Sequence, residues 1–330
     1  LEPWQKFCVY GMLCFYYPET MERVVKEAFI FIPRKNSKTL FVSALSWGLG
    51  LLERESGAKV YVVATTLKQA METFDNWEYN LGNSWYNSVD EAKKAGWRYL
   101  NNNMAHSIEH ENISGGSLHM EALAGNAGAH DSFNCNIVIA DEVHAYKNPE
   151  EYNRLKEATK AYTNKLVIGI TTAGDDSAGF CAKHLDYCQA VVRGTIVDDA
   201  MFAFLCMADR DEGGNVEYED PEQHEKANPN YGVTIRPKEM EREAALAKNS
   251  PIMRKDFLTR SLNVFVSSLR AYFNVAEFET SNEEAGAALG IPPNPPYLAG
   301  AKVMAEWREK ALAALVKLNI NWYGGTDLSK

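Results

Sequence analysis

The sequence predicts an α/β fold with a doubly wound parallel sheet and a small appended lid subdomain. Two observations support this prediction: short apolar runs alternate with segments of helical spacing, and most of the apolar runs end in polar clusters. Such alternation is typical of a parallel sheet with helices on both faces. Ligands bind such sheets at the carboxyl ends of the strands. We expect four polar segments to meet at that edge: 33–39, 65–66, 141–142 and 171–174.

The individual elements can be assigned in chain order. The predicted strands are 24–32, 59–64, 107–109, 117–123, 137–140 and 165–170. A helix from Thr39 to Arg54 is predicted by apolar residues that recur on one face. Thr65 and Thr66 are expected to cap the next helix. Residues 237–262 predict two helices that separate near 249–251.

Changes in composition divide the chain into parts. We expect the main domain over 1–195 and the lid subdomain over 196–270, which begins with acidic and turn-rich loops. Residues 271–320 are predicted to contain a linker region, because four prolines and several glycines and alanines lie between 281 and 300. Residues 319–325 are predicted to be a strand that enters a new element, and a further domain is expected to start over 321–330.

Composition and charge exclude several classes of protein. With 46% hydrophobic residues, the chain of 330 residues is globular rather than disordered. It lacks a run of 18 apolar residues, so we expect no membrane span. A net charge of −10 argues against a broad basic surface for nucleic acid, although a local patch inside a ring stays possible. No cysteines form a C-x-x-C pair, and the histidines, including His144, are expected to be scattered without a metal.

The apolar run 137–140 ends in two adjacent carboxylates, Asp141 and Glu142. A strand buried on both faces has no reason to end in paired acids unless that point needs negative charge. In folds that hydrolyse ATP, the first acid holds Mg²⁺ and the second activates the attacking water. We therefore predict that Asp141 is a metal ligand and that Glu142 is the general base.

An altered phosphate loop lies upstream of these acids. The usual pattern is G-x-x-x-x-G-K-[ST], but here Ile32 and Ser37 occupy the two glycine positions. We expect Asn36 to supply the left-handed backbone that the loop needs, because asparagine tolerates it. The residues predicted to bind the nucleotide from this loop are Arg34, Lys35, Asn36, Ser37, Lys38 and Thr39.

Each polar side chain of the site has an expected role. Lys38 is predicted to contact the β- and γ-phosphates as a catalytic residue, and the Thr39 hydroxyl is predicted to bind Mg²⁺. The Thr171 and Thr172 hydroxyls, at the end of another strand, are expected to sense the γ-phosphate. This combination predicts a P-loop NTPase of the ASCE type, with ATP and Mg²⁺ as its cofactors.

These motifs resemble the large terminase subunit of tailed bacteriophages, the ATPase that drives DNA into capsids. The matching segments are 4–7, 34–39, 64–66, 69–70, 139–145, 170–174, 227–232 and 262–265. The resemblance implies that Gln5 binds the adenine edge. It also implies an arginine finger, but the corresponding stretch 157–165 has no arginine. Three candidates for this role stay open: Arg154, Lys160, and a catalytic Arg34 that acts within its own subunit.

The resemblance also implies a biological setting. The chain would be a motor subunit that uses ATP hydrolysis to move viral double-stranded DNA into a procapsid in the host cell cytoplasm. Its partners would be the portal protein and the small terminase subunit, in a homo-oligomeric ring that could be a monomer in isolation. Residues 325–329 are similar to the first strand of the family's RNase H-like nuclease domain, so 321–330 would begin that domain. Asp327 would bind a nuclease metal only in a longer protein.

Two alternatives stay open from the residues. The same acidic strand fits a helicase or translocase ATPase of this fold group. The departure at Ser37 and the missing finger also fit a catalytically weak, nucleotide-binding assembly subunit.

Overall fold

The computed structural model describes residues 1–53, 57–103, 105–113, 115–125 and 134–266, together with 306–307, 309–310 and 313. The chain divides into two compact units, Leu1–Ser268 and Leu269–Lys330. Every strand and helix named below belongs to the first unit. The predicted linker region 271–320, apart from the few residues just given, and the predicted nuclease start with Asp327 lie outside the described residues.

A mixed sheet forms the centre of the first unit. Its strands are β1 Glu27–Phe31, β2 Ala58–Ala64, β3 Arg98–Asn101, β4 His106–Ile113, β5 Gly116–Ala124, β6 Ile137–Asp141, β7 Leu166–Thr171 and β8 Met201–Leu205. The order across the sheet is β3-β4-β5-β2-β6-β7-β1-β8. Six neighbouring strands pair in parallel, in the order β5, β2, β6, β7, β1 and β8. The α/β fold is therefore confirmed.

One edge of the sheet departs from the purely parallel prediction. Strand β4 pairs antiparallel with both β3 and β5. The chain reverses between β4 and β5 at Gly115, whose φ of +88° is a conformation that favours glycine. A hairpin joins antiparallel neighbours, so β4 could not enter the sheet in parallel. Strand β3 was not among the predicted elements.

Helices cover the sheet. They are α1 Pro3–Leu13, α2 Lys38–Leu52, α3 Leu67–Asn80, α4 Val89–Lys94, α5 Pro149–Ala158, α6 Phe180–Val192, α7 Pro221–Ala227, α8 Pro237–Asn249 and α9 Pro251–Asp256. The predicted cap of α3 is confirmed, because the Thr66 hydroxyl accepts a hydrogen bond from the Gln69 N–H. Among the described residues, no helix is long and apolar enough to cross a membrane.

A core layer lies on each face of the sheet. Successive strand side chains point to opposite faces, and in β1 Ile30 packs in one layer while Phe29 and Phe31 pack in the other. Both layers contain buried residues of β2, β6 and β7 as well. Burial on both faces explains why these strands appear in the sequence as continuous apolar runs.

The sheet continues past the predicted domain boundary at residue 195. Strand β8 pairs in parallel with β1 and so lies within the sheet, while α7, α8 and α9 follow it. The lid subdomain over 196–270 stays a prediction. The break between α8 and α9 is confirmed: the Ser250 hydroxyl caps α9, and Pro251 starts it without an N–H to satisfy.

The register of the parallel strands brings the predicted polar segments together. Phe31, the last residue of β1, lies opposite Thr171, and Asp141, the last residue of β6, lies opposite Ile170. The phosphate loop that follows β1 and the acids that end β6 therefore flank the end of β7. Because β2 pairs in parallel with β6 near its end, Thr65 and Thr66 follow at the same edge.

Candidate active site

The loop between β1 and α2 has two residues in the left-handed region. They are Lys35 at φ +66° and Ser37 at φ +59°. The prediction that Asn36 supplies this conformation was wrong. Alternation of backbone conformation in such a turn directs successive N–H groups into a shared concavity, which is the geometry of an anion nest. Ser37 lies immediately before α2 and adopts the left-handed backbone conformation that glycine usually adopts at this position.

Asn36 instead anchors the loop from inside. Its side chain is fully buried, and its amide donates to the carbonyls of Pro33 and Arg34 at 3.3 and 3.2 Å. The same amide donates to Asn228 Oδ1 at 2.9 Å, while Asn36 Oδ1 accepts the Asn230 N–H at 3.0 Å. Because these protein contacts engage the side chain, only the backbone N–H of Asn36 is left as a candidate contact to a ligand.

The turn over 228–230 joins the loop to the rest of the protein. Asn228 donates to the carbonyls of His224 and Ser261, each at 2.9 Å. Asn230 Oδ1 accepts the indole N–H of Trp4 at 2.7 Å. Sequence reasoning recognised this turn but missed its function as a brace. Two asparagines around a proline were the available signal, since such side chains bond to nearby backbone groups.

Lys38 lies buried at the start of α2 and points back into the loop. Its ammonium donates to the carbonyls of Ile32 and Pro33 at 3.2 and 3.1 Å. Burial lowers the pKa of Lys38 to about 8, against the opposing effect of the Glu142 and Asp141 charges. Both acids act on this lysine because the register of β1, β7 and β6 places the phosphate loop and the acidic strand end at the same edge of the sheet.

Asp141 ends β6 with only 4% of its surface exposed. Its Oδ1 accepts the N–H of Glu142 at 2.8 Å, since Glu142 turns into the left-handed region at φ +50°. Burial, followed by the Glu142 charge, raises the pKa of Asp141 to about 7, although Lys38 acts in the opposite direction. A buried carboxyl that ionises only with difficulty is one that a divalent cation would stabilise.

Glu142 differs from its neighbour in its electrostatics. Burial acts to raise the pKa of Glu142, but the hydrogen bond and field of His144 and the charges of Lys38 and Arg34 together lower it. Glu142 is therefore ionised at neutral pH and able to accept a proton. The two acids have opposite pKa shifts, so Asp141 is the harder of the two to ionise and Glu142 is the one that carries a negative charge at neutral pH.

The two threonines at the end of β7 are in different situations. The Thr171 hydroxyl donates to the Thr172 carbonyl and accepts the His144 N–H, both at 3.0 Å. Thr172 Oγ1 is buried and has no hydrogen-bond partner among the described residues. An unpaired buried hydroxyl at this edge fits a polar ligand such as a phosphate. Its role as a γ-phosphate sensor stays a prediction.

The remaining predicted site residues lie around this centre. Arg34 is exposed, yet its charge helps to lower the pKa of Glu142. Its backbone N–H donates to the Arg260 carbonyl at 3.0 Å. Arg34 and Lys35 line a cleft of about 730 Å³ with residues of α8, α9 and the short π-helix Phe257–Ser261. Thr39 is half-buried in the first turn of α2.

Gln5 is buried in the first turn of α1. Its side-chain oxygen accepts the Glu2 N–H at 2.9 Å, which completes a capping box. Contact of Gln5 with an adenine stays a prediction. The prediction that His144 is a scattered histidine was wrong, because His144 contacts both Glu142 and Thr171.

Comparisons with known proteins agree with this geometry. The model of the terminase large subunit ATPase domain matches residues 3–190. Protein YmfN of Escherichia coli strain K12 is 27% identical over 154 residues, which are 47% of this chain and 33% of YmfN. The chain therefore spans about a third of that curated relative.

Solved structures show the same fold. The large terminase of bacteriophage HK97 matches with a TM-score of 0.62 and 19% identity, covering 80% of this chain and 50% of that one. A mutant of the large terminase ATPase domain of Thermus phage P74-26 matches with a TM-score of 0.50 and 12% identity, covering 81% of this chain and all of that one. The predicted P-loop fold of the ASCE type is confirmed, with β7 inserted between the loop strand β1 and the acidic strand β6.

Proposed function

Since the chain belongs to the family of terminase large-subunit ATPase domains, we propose that it hydrolyses ATP to drive viral double-stranded DNA into a procapsid. One observation supports this most strongly: buried Lys38 at the start of α2 and the Asp141–Glu142 pair at the end of β6 lie at the same edge of the sheet, on either side of the end of β7. That arrangement provides a cation for phosphate oxygens beside a metal ligand and a base.

The residues of the site divide the chemistry between them. The backbone N–H groups of the loop and the Lys38 ammonium would bind the phosphates, with Lys38 exchanging the Ile32 and Pro33 carbonyls for phosphate oxygens. Thr39 and Asp141 are the residues that would hold Mg²⁺, which neutralises charge on the β- and γ-phosphates when bound. Glu142 would accept the proton of the attacking water.

Arg34 is an arginine whose charge, together with that of Lys38, already acts on the proposed base Glu142. By contrast, Lys160 pairs with Glu157 on its own surface segment at 2.5 Å. We therefore favour Arg34 as the charge that stabilises the transition state within the subunit. If a neighbouring subunit supplies the finger instead, that finger is worth ~10³–10⁵ in rate, and an isolated chain would turn over slowly.

Movement could pass from the site to the segment after β8 through Asn263. This residue, at φ +60°, accepts the Ala173 N–H at 2.7 Å and donates to the Cys206 carbonyl at 2.8 Å. The end of β7 is thus tied to the 196–270 segment. In the proposed motor, this segment would act on DNA within a ring seated on the portal protein, with the small terminase subunit as a further partner, in the host cytoplasm.

The proposal is tested by comparing phosphate release and nucleotide binding in three variants. Glu142→Gln should keep ATP affinity and lower the rate of release about 10²–10⁴-fold, because the base is lost. Lys38→Ala should lose affinity itself. Glu150→Gln, an exposed acid at the start of α5, is the matched control and should behave as wild type.

Equal release by wild type and Glu142→Gln would contradict the ATPase and favour a nucleotide-binding assembly subunit. Separation of a forked DNA duplex by the wild type would favour the helicase alternative. Release that double-stranded DNA stimulates, without strand separation, is the result expected of a packaging motor.

A further inference from the structure

His144 lies between the proposed base and the end of β7. Its Nδ1 is 3.1 Å from Glu142 Oε2 and 3.0 Å from Thr171 Oγ1, and its backbone N–H also donates to Thr171 Oγ1. We infer that His144 is a positioning residue, which holds the Glu142 carboxylate in place and makes that position depend on the end of β7. This inference rests on the proposed ATPase function.

The hydrogen bonds determine which ring nitrogen carries a proton. An ionised carboxylate can only accept, so the Nδ1 that lies 3.1 Å from Glu142 Oε2 is the ring nitrogen that carries a proton. Nδ1 is therefore the N–H donor, and it is shared between the Thr171 oxygen and the Glu142 carboxylate. The partners of Nδ1 therefore set both the tautomer of His144 and the orientation of its ring.

Glu142 depends on this contact for its orientation. Its Oε2 is buried and has no well-aligned hydrogen bond among the described residues, so the His144 N–H at 3.1 Å is the donor closest to satisfying it. The side chain also stands on a residue with a left-handed backbone at φ +50°. Removing the imidazole would leave a buried carboxylate oxygen unpaired and the side chain able to rotate away from an attacking water.

Packing against Gly174 provides an independent observation. A Cβ placed on Gly174 would lie 3.1 Å from His144 Cβ and 3.2 Å from His144 Cδ2. The ring therefore lies directly against the backbone of the segment that follows β7, at a distance that only glycine permits comfortably. Displacement of 171–174 would push or release the ring, and the ring would move the base.

The expected consequence is a change in the chemical step rather than in nucleotide binding. A misplacement of about 1 Å at a reacting group can cost about 10²-fold in rate. We expect His144→Ala to lower kcat for ATP about 10–100-fold and to change KM less than about threefold. The reason is that Thr171 is the one predicted phosphate contact that His144 touches among the described residues. His106→Ala, on strand β4 in the antiparallel part of the sheet, is the matched control.

Two further variants separate positioning from a general loss of structure. His144→Asn can place an amide N–H near the position of Nδ1 and should restore kcat to within about fivefold of wild type. Gly174→Ala should lower kcat on its own but add little in the His144→Ala background, since the ring that the added Cβ would displace is then absent and only His144 Cβ remains beside it. Equal kcat for wild type and His144→Ala, or additive effects of the Gly174 and His144 changes, would overturn the inference.

The wild type and Glu142→Gln, measured in the same series, distinguish the two proposals. If the wild type hydrolyses ATP, Glu142→Gln does not, and His144→Ala equals wild type, only the role of His144 fails. If the wild type releases phosphate no faster than Glu142→Gln, the proposed function fails, and the role of His144 fails with it.

Discussion

Asn36 offers the sharpest test of how the phosphate loop is held. Its amide contacts three acceptors, and its oxygen receives the Asn230 N–H, all from a fully buried position. Asn36→Ala should therefore destabilise the protein and weaken ATP binding together, because the same contacts fix the loop backbone and join it to the 228–230 turn.

The magnitude follows from the partners left behind. Asn228 Oδ1 and the Asn230 N–H are buried, and each would lose the hydrogen bond that Asn36 provides. The Pro33 carbonyl keeps Lys38 as a donor, and the bond to the Arg34 carbonyl is only part-buried. An unsatisfied buried group costs about 1–3 kcal/mol. Two such groups predict a loss of about 2–6 kcal/mol in the free energy of unfolding, a large part of the ~5–15 kcal/mol typical of a folded domain.

Urea unfolding followed by fluorescence measures this loss, and titration with a fluorescent ATP analogue measures the affinity. Asn83→Ala is the matched control, because the exposed Asn83 side chain donates one bond to the Tyr79 carbonyl at 2.9 Å. It should change stability by less than about 1 kcal/mol. A loss below about 1 kcal/mol for Asn36→Ala, or unchanged ATP affinity, would refute the reasoning.

Three more predictions concern single contacts. Ser37→Gly should leave the protein as stable or up to about 1 kcal/mol more stable by urea unfolding, because relief of the left-handed backbone at φ +59° exceeds the entropy cost of glycine; a loss above about 1 kcal/mol would argue against strain there. Burial raises the pKa of Asp141 from 3.8 to about 7, so the folded nucleotide-free protein binds more protons than the unfolded chain in that window. Its unfolding free energy should fall with rising pH by up to about 1.4 kcal/mol per unit through this carboxyl, and denaturation of Asp141→Asn at several pH values should lack that component; parallel pH profiles would contradict it. Gly11→Ala should cost about 1–3 kcal/mol, since its Cβ would meet Phe202 Cε2 at 2.2 Å, whereas Gly48→Ala in α2, where nothing lies within 4 Å, should stabilise by about 0.5–1 kcal/mol; similar melting shifts for both would contradict the packing described.

The strands that surround the site could be predicted because they are buried on both faces. Apolar runs such as 137–140 and 165–170 leave little choice of element, and parallel pairing then places their polar ends at one edge. The hairpin of β4 and β5 was harder to place, because its half-buried strands carry many polar residues. Whether such a hairpin joins a parallel sheet is decided by tertiary packing.

The contacts that complete the site were beyond sequence reasoning for a related reason. Asn36 and Asn228 are 192 residues apart, and local patterns carry no information about a partner at that distance. Local preference also misplaced the left-handed residues: an asparagine tolerates that conformation well, but here burial of its side chain decided otherwise, and Ser37 took the strained position. His144 was discounted for the same reason, because only the register of β6 and β7 reveals its neighbours.

The most direct measurement of the central claim is a double-mutant cycle on Mg²⁺-dependent ATP binding, using Thr39→Val and Asp141→Asn. Calorimetric titration with and without Mg²⁺ would give the affinity of wild type, each single variant and the double variant. If the two residues hold one metal, each change alone should remove most of the Mg²⁺ dependence, and combining them should add less than about 0.5 kcal/mol. Fully additive losses would show that Thr39 and Asp141 serve separate sites and would contradict the account.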